Sequence, residues 1–149
     1  MEKPASFTDL RKYLDNIPYI NSGGCGLASL VMYRYLRNEG HEVKIVFANK
    51  SYNYENAITN IKFDIGEASN AQSAAHVFLF HQNKFIDCTT EIDITRYRYF
   101  EFVDERKLLN AINNGGWNTS FDIKQYLPII EYGLGIDLSD VTKGRVKTT

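Results

Sequence analysis

The sequence predicts an α+β protein built on a mainly antiparallel sheet. Residues 26 to 38 form a helix-length segment that is apolar around most of its circumference. Several short runs rich in β-branched and aromatic residues follow it, and further helical segments come only at the end. A helix that is apolar on nearly every side must be enclosed, so it is expected to be central and packed on the sheet.

The elements follow in order. Thr8 is placed to cap a short helix over Asp9 to Asp15, which Pro18 ends, and "YINSGG" is read as a loop. The central helix carries Leu27, Ala28, Leu30, Val31, Met32, Tyr33, Tyr35 and Leu36, with Arg34, Arg37 and Asn38 outside. Gly40 supplies the C-terminal stop. "HEVKIVFA", residues 41 to 48, is a strand, and residues 49 to 73 read as loop with one short helix around Glu55 to Asn60. Residues 75 to 89 are two apolar runs around a polar turn at Gln82 and Asn83, a hairpin pattern. A strand over 96 to 103 precedes a helix capped by Asp104 and running to about Ile112. "NNGGWNTS" is a loop, and Ser120 precedes a last helix to about Glu131.

With 149 residues, the chain is expected to be one domain over 1–142 with a flexible basic tail at 143–149, and large enough to bury a core without disulfides or a metal. Hydrophobic residues make up 44% and charged residues 23%, a balance that argues against disorder. The net charge of -1 offers no field to attract nucleic acid or an anionic membrane. No stretch approaches the roughly 20 apolar residues of a membrane span. "MEKPASFTDLRKYL" lacks the apolar core of a secretory signal, so a cytoplasmic location is expected.

The two cysteines, Cys25 and Cys88, are too few for a disulfide framework and are expected as free thiols. Cys25 opens the central helix among Gly23, Gly24 and Gly26. Unpaired N–H groups and the macrodipole at a helix start favour a thiolate there. The glycines allow a tight turn and leave room for a substrate carbonyl, and the Cys25 N–H can face an oxyanion. The plain alternative is a small buried apolar residue beside a glycine turn. A base held next to the sulfur decides between the two.

The hairpin supplies a candidate base. With a two-residue turn at Gln82 and Asn83, His81 faces Lys84, Phe80 faces Phe85 and Phe78 faces Asp87. Alternation then puts His76, Phe78, Phe80, Phe85, Asp87 and Thr89 on one face. His76 and Asp87 become diagonal neighbours, roughly 7–8 Å apart between backbones. A carboxylate so placed can accept the imidazole N–H, fix the tautomer and steady the imidazolium. The three phenylalanines are expected to pack on the cysteine helix. Cys88 falls on the opposite face and is read as a packing residue; His81 and His41 are read as solvated. No C-x-x-C or H-x-x-x-H spacing suggests a metal site, and no cofactor is expected.

"GGCGLASLVMYRYLRNEGHEVKIVFA" followed by "AHVFLFHQNKFIDCT" resembles the core of the papain-like cysteine hydrolases, most closely the transglutaminase-like branch. In that branch a Cys opens a helix, the helix stops before a strand, a strand begins His, Ala or Val, then Trp or Phe, and an Asp lies on the next strand. The hairpin is also similar to that of NlpC-type endopeptidases. The resemblance implies a papain-like fold with Cys25 as nucleophile, His76 as general base and Asp87 as orienting acid. Phe78 stands where the family has Trp, and residues 49 to 74 have no counterpart in it. No upstream Gln matches the papain-type oxyanion donor, so Asn21, Ser22 and Gly24 are the candidates to line that site beside the Cys25 N–H.

A hydrolase or acyltransferase acting on a peptide or isopeptide bond of a protein or peptide substrate is the expected function. A non-catalytic papain-like binding module is the alternative. A third reading is an interaction protein using Tyr52, Tyr54, Tyr97, Tyr99 and Trp117 as contacts, although these also suit half-buried strand positions. The oligomeric state is left open.

Overall fold

The computed structural model describes residues 6–21, 23–49, 76–97, 99–114 and 121–142. The readings made for residues 50 to 75, for most of "NNGGWNTS" and for the tail at 143–149 lie outside these. The described residues form an α+β fold of four helices and a four-stranded antiparallel sheet.

Helix α1 is Phe7–Asp15, and its N-cap is Ser6, whose hydroxyl accepts from the Asp9 N–H, rather than Thr8. Helix α2, Cys25–Asn38, is buried along Cys25 to Met32 and at Leu36. It ends as expected at Gly40. The Gly40 N–H bonds to the Arg37 carbonyl and the His41 N–H to that of Leu36, while Gly40 takes a φ of 83°. This double bond pattern needs a left-handed residue at that position, which glycine adopts without strain.

Strands β1 (Lys44–Asn49), β2 (His76–His81), β3 (Lys84–Ile86) and β4 (Tyr99–Val103) assemble in the order β3-β2-β1-β4. Both strands that flank the hairpin in the chain are shorter than the sequence suggests. β1 starts at Lys44 rather than His41, and a 3-10 turn at Ile94–Arg96 precedes β4. Helix α3, Glu105–Asn113, is capped by Asp104 through the Lys107 N–H. Helix α4, Ile123–Leu134, is capped by Asp122 through the Gln125 N–H and stopped by Gly135. Ser120, expected before it, lies outside the described residues. No helix among the described residues is long and apolar enough to cross a membrane.

The hairpin register is the expected one as far as β3 reaches: His81 opposite Lys84, Phe80 opposite Phe85, Leu79 opposite Ile86. Gln82 and Asn83 both take positive φ, 53° and 62°, the geometry of a two-residue turn matched to the strand twist. β3 then stops, and Asp87 begins a turn closed by the Asp87 N–H on the Thr90 carbonyl at 3.0 Å.

The face that α2 covers is not the phenylalanine face. Ile45, Phe47, Val77, Leu79 and Ile86 join Leu27, Leu30 and Val31 of α2 in the main core, together with Leu10, Leu108 and Leu127 of the other helices. Phe78 is instead buried on the far side with Val46 and Ala48, where Phe80 and Phe85 pack half-buried and Phe100 and Phe102 lie 43% and 44% exposed. Both faces of β2 are apolar, so alternation groups the residues correctly but cannot say which group the helix takes. Pairing with β1 adds aliphatic Ile45 opposite Leu79 and Phe47 opposite Val77 on the side that α2 covers.

His81 belongs to the same inner side and is buried, contrary to its solvated reading. Its Nε2 lies 3.1 Å from His41 Nδ1, and the Phe7 ring meets it edge-on at 5.8 Å. Burial, and then the neighbouring His41, lower its pKa. His41 itself is exposed as expected. Arg34, read as an outside position, is half-buried because its guanidinium reaches Glu105 Oε2 at 2.7 Å and Asp140 Oδ1 at 2.9 Å, joining α2 to α3 and to the chain after α4.

Candidate active site

The start of α2 differs chemically from the starts of the other helices. α1, α3 and α4 each have a side chain on their first free N–H groups, whereas α2 has Gly24 at its N-cap and no side-chain cap, nor an acidic residue in its first turn. Uncapped N–H groups and the positive end of the helix dipole therefore surround Cys25. Gly24 is required by close approach: a Cβ there would stand 2.7 Å from the Ile20 carbonyl oxygen and 3.0 Å from the Phe121 ring. Its own carbonyl accepts from the Ala28 N–H at 2.9 Å and so starts the helix.

One turn along α2, Ser29 donates its hydroxyl to the Val77 carbonyl at 3.2 Å. Residues four apart share a helix face, so this bond brings Cys25 to the beginning of β2, where His76 is the first described residue. The meeting takes place at the end of the strand, not across the face that carries the phenylalanines. This is how a sulfur under one side of the sheet and an imidazole grouped with the other side come together.

His76 Nε2 lies 3.1 Å from Asp87 Oδ2, with both side chains about nine-tenths buried, at 12% and 9% exposure. Burial alone would lower the pKa of this imidazole. Hydrogen bonds to Asp87 and to Cys25, and the negative charges of both, outweigh it and raise the pKa from 6.5 to about 9. Both neighbours thus favour the charged form of the imidazole. With Nε2 committed to Asp87, Nδ1 is the nitrogen left for the thiol.

Asp87 is held as an anion from two sides. Its Oδ1 accepts from the Thr89 N–H at 2.8 Å and the Thr90 N–H at 2.7 Å, while Oδ2 takes His76. Burial opposes ionisation, but the His76 hydrogen bond and the two backbone donors prevail and the pKa is lowered.

The remaining sequence candidates are placed as follows. Asn21 Nδ2 donates to Thr89 Oγ1, and Asn21 Oδ1 accepts from the Cys88 thiol at 3.6 Å, so this amide braces the turn after Asp87. Ser22 lies outside the described residues. Gly24 sits under Ile20 and Phe121 at the helix entrance. Cys88 is buried in the main core, 3% exposed, with its thiol pushed up to about 12 by burial and then by the Asp87 charge. No cluster of three or more His, Cys, Asp or Glu able to hold a metal ion occurs among the described residues.

Three contributors escape a reading of spacing. Ser29 looks like one small residue on an apolar helix. Tyr97 was counted among strand or interface aromatics, yet its ring lies 5.5 Å from Phe78, and burial followed by the Asp87 charge raises its pKa, with Cys25 adding to the effect. Arg11 reaches the Asp87 carbonyl from α1. Each acts across a separation of many residues, which no local motif records. No family model, no curated protein and no solved structure matches this chain.

Proposed function

We propose that this chain is a cysteine-dependent hydrolase or acyltransferase that cleaves an amide bond, peptide or isopeptide, in a protein or peptide substrate. It would work through Cys25, His76 and Asp87 on a papain-like, transglutaminase-like core. The observation that carries the reading is the His76 imidazole 3.1 Å from the Asp87 carboxylate, at the strand end that Ser29 ties to the helix opened by Cys25. The uncapped start of α2 supports it independently.

In this mechanism the Cys25 proton resides on His76, and the sulfur attacks the substrate carbonyl carbon. The carbonyl π electrons move to oxygen, where N–H groups of the α2 first turn, that of Cys25 foremost, meet the charge. Collapse expels the amine, which takes the His76 proton, and leaves a thioester on Cys25. Now neutral, His76 removes a proton from water or from an acceptor amine as that nucleophile attacks the thioester. The acyl group leaves, and the Cys25 thiolate is restored with the proton on His76. Asp87 keeps Nδ1 directed at the sulfur in both protonation states. The reaction needs no cofactor, and a cytoplasmic setting suits free thiols.

The test is activity-based labelling with a thiol-directed acyl probe, mapped by mass spectrometry, on the wild-type chain, Cys25→Ala and His76→Ala. Labelling at Cys25 much faster than that of free cysteine at neutral pH, lost with either substitution, supports the reading. Labelling that survives His76→Ala removes His76 as the base. A Cys25 that reacts no faster than free cysteine leaves a non-catalytic binding module.

A further inference from the structure

The carboxylate that orients His76 sits outside any strand, on a four-residue turn, so something must hold that turn. Part of the work is internal: the Asp87 N–H bonds to the Thr90 carbonyl, and Asp87 Oδ1 accepts from the N–H groups of Thr89 and Thr90. These bonds make the turn rigid, and the pairing of Ile86 with Leu79 and with Glu91, together with Asn21 on Thr89, fixes part of its position beside β2.

Helix α1 adds a hold on the outer side of the turn. Arg11 donates from Nε at 3.0 Å and Nη2 at 2.7 Å to the Asp87 carbonyl, and Nη2 also reaches the Thr90 carbonyl at 3.2 Å. Four residues on, and so on the same face of α1, Asp15 Oδ1 accepts the Thr89 hydroxyl at 2.6 Å. Both ends of the turn are thus gripped by one helix, and that helix is anchored through buried Leu10 and Leu14 and through the Tyr13 hydroxyl on the Ile129 carbonyl. The Phe7 ring lies 5.9 Å from the Arg11 guanidinium and limits its swing.

We infer that Arg11 is a positioning residue of this centre: its planar fork on the Asp87 carbonyl, with Asp15 on Thr89, sets where the Asp87 carboxylate meets His76. The inference rests on the proposed triad for its functional meaning and on the geometry above for its substance. A fork with two parallel donors fixes a direction as well as a distance, which a lysine ammonium does not. His76 is faced by Asp87 from the turn and by Cys25 from α2, with Tyr97 close to both charges; Arg11 contacts the turn carbonyls and reaches the imidazole through them.

The experiment follows the His76 ring-proton resonance by NMR against pH in wild type, Arg11→Met, Arg11→Lys and Asp15→Ala. The iodoacetamide rate at Cys25 and the Tm are measured on the same samples. Wild-type His76 is expected to titrate near 9. In Arg11→Met the midpoint moves down toward 6.5, and Cys25 alkylation at pH 7 slows about tenfold, the size of one lost orienting contact. Arg11→Lys recovers part of both, and Asp15→Ala gives a smaller move in the same direction. If Arg11→Met is too unstable to titrate, the Arg11→Lys and Asp15→Ala spectra decide. A Tm that falls while the His76 midpoint and the Cys25 pH profile stay unchanged makes Arg11 merely structural and overturns the inference. A wild-type Cys25 that reacts no faster than free cysteine overturns the catalytic reading alone, because the Arg11 effect on His76 is read independently in the spectra.

Discussion

Cys25 and Cys88 are equally hidden, each 3% exposed, yet their surroundings prepare them for opposite chemistry. Cys88 is packed in the main core beside the Asp87 carboxylate with a long hydrogen bond to Asn21, and its thiol is pushed up to about 12. Cys25 lies at an uncapped helix start with His76, whose charged form is favoured, as its neighbour. The same Asp87 acts on both with opposite results. Next to Cys88 its charge opposes a second anion; toward Cys25 it acts through His76, whose positive charge it stabilises. Equal burial thus goes with unlike electrostatic surroundings, and thiol reactivity depends on those surroundings rather than on burial alone.

Substituting the two sulfurs tests that contrast most severely. Cys25→Ser is expected to lower acyl-probe labelling and any amide hydrolysis by more than about a thousandfold, and Cys88→Ser to leave both within about threefold, read by peptide mapping. Comparable labelling of Cys88 in the folded wild type would end the comparison. Asp87→Asn comes next. It keeps the shape but removes the charge, so activity should fall by about a hundredfold or more, with the His76 midpoint dropping from about 9.

A pH titration of stability sharpens the same contrast. The folded pKa of His76 is raised, so its contribution is fully present below 6.5 and is lost as pH rises through about 9. That of Asp87 is lowered, so its contribution is present above the ordinary carboxylate range and is lost as pH falls below it. The Tm advantage of wild type over Asp87→Asn is therefore expected to be widest near pH 6 and to narrow as pH rises through about 9, in differential scanning calorimetry, leaving the part that the Thr89 and Thr90 N–H groups supply. An advantage of the same size at pH 6 and pH 10 would mean that His76 does not carry the charge paired with Asp87. The smallest effect is expected from Cys88→Ala, which removes one buried sulfur and its bond to Asn21. It should cost about 1 kcal/mol, or roughly 2–4 °C in Tm, with Cys25 labelling unchanged.

The parts legible in advance were those governed by short spacing. Gln82 and Asn83 between two apolar runs specified a two-residue turn, and the turn specified the register that groups His76 with Phe78, Phe80 and Phe85. The start of α2 among glycines was legible for the same reason, since caps and their absence are read within one turn. Boundaries slipped where a competing acceptor lay just outside the expected cap. Ser6 displaced Thr8, because the Ser6 hydroxyl meets the Asp9 N–H three residues on. The place of His81 beside a turn suggests solvent, but its parity with Val77 and Leu79 puts it under Phe7 and beside His41.

Local sequence determined the elements, the uncapped cysteine at a helix tip and the pairing of the hairpin, because backbone geometry and side-chain alternation act over two to four residues. Tertiary structure alone decided which apolar face the central helix covers. It also brought Ser29 to Val77 and Arg11 to Asp87, joining residues 48 and 76 apart in the chain. Both faces of β2 are apolar enough to bury, so the choice depended on how β1, α1 and α2 pack together, and that is a property of the assembled layers.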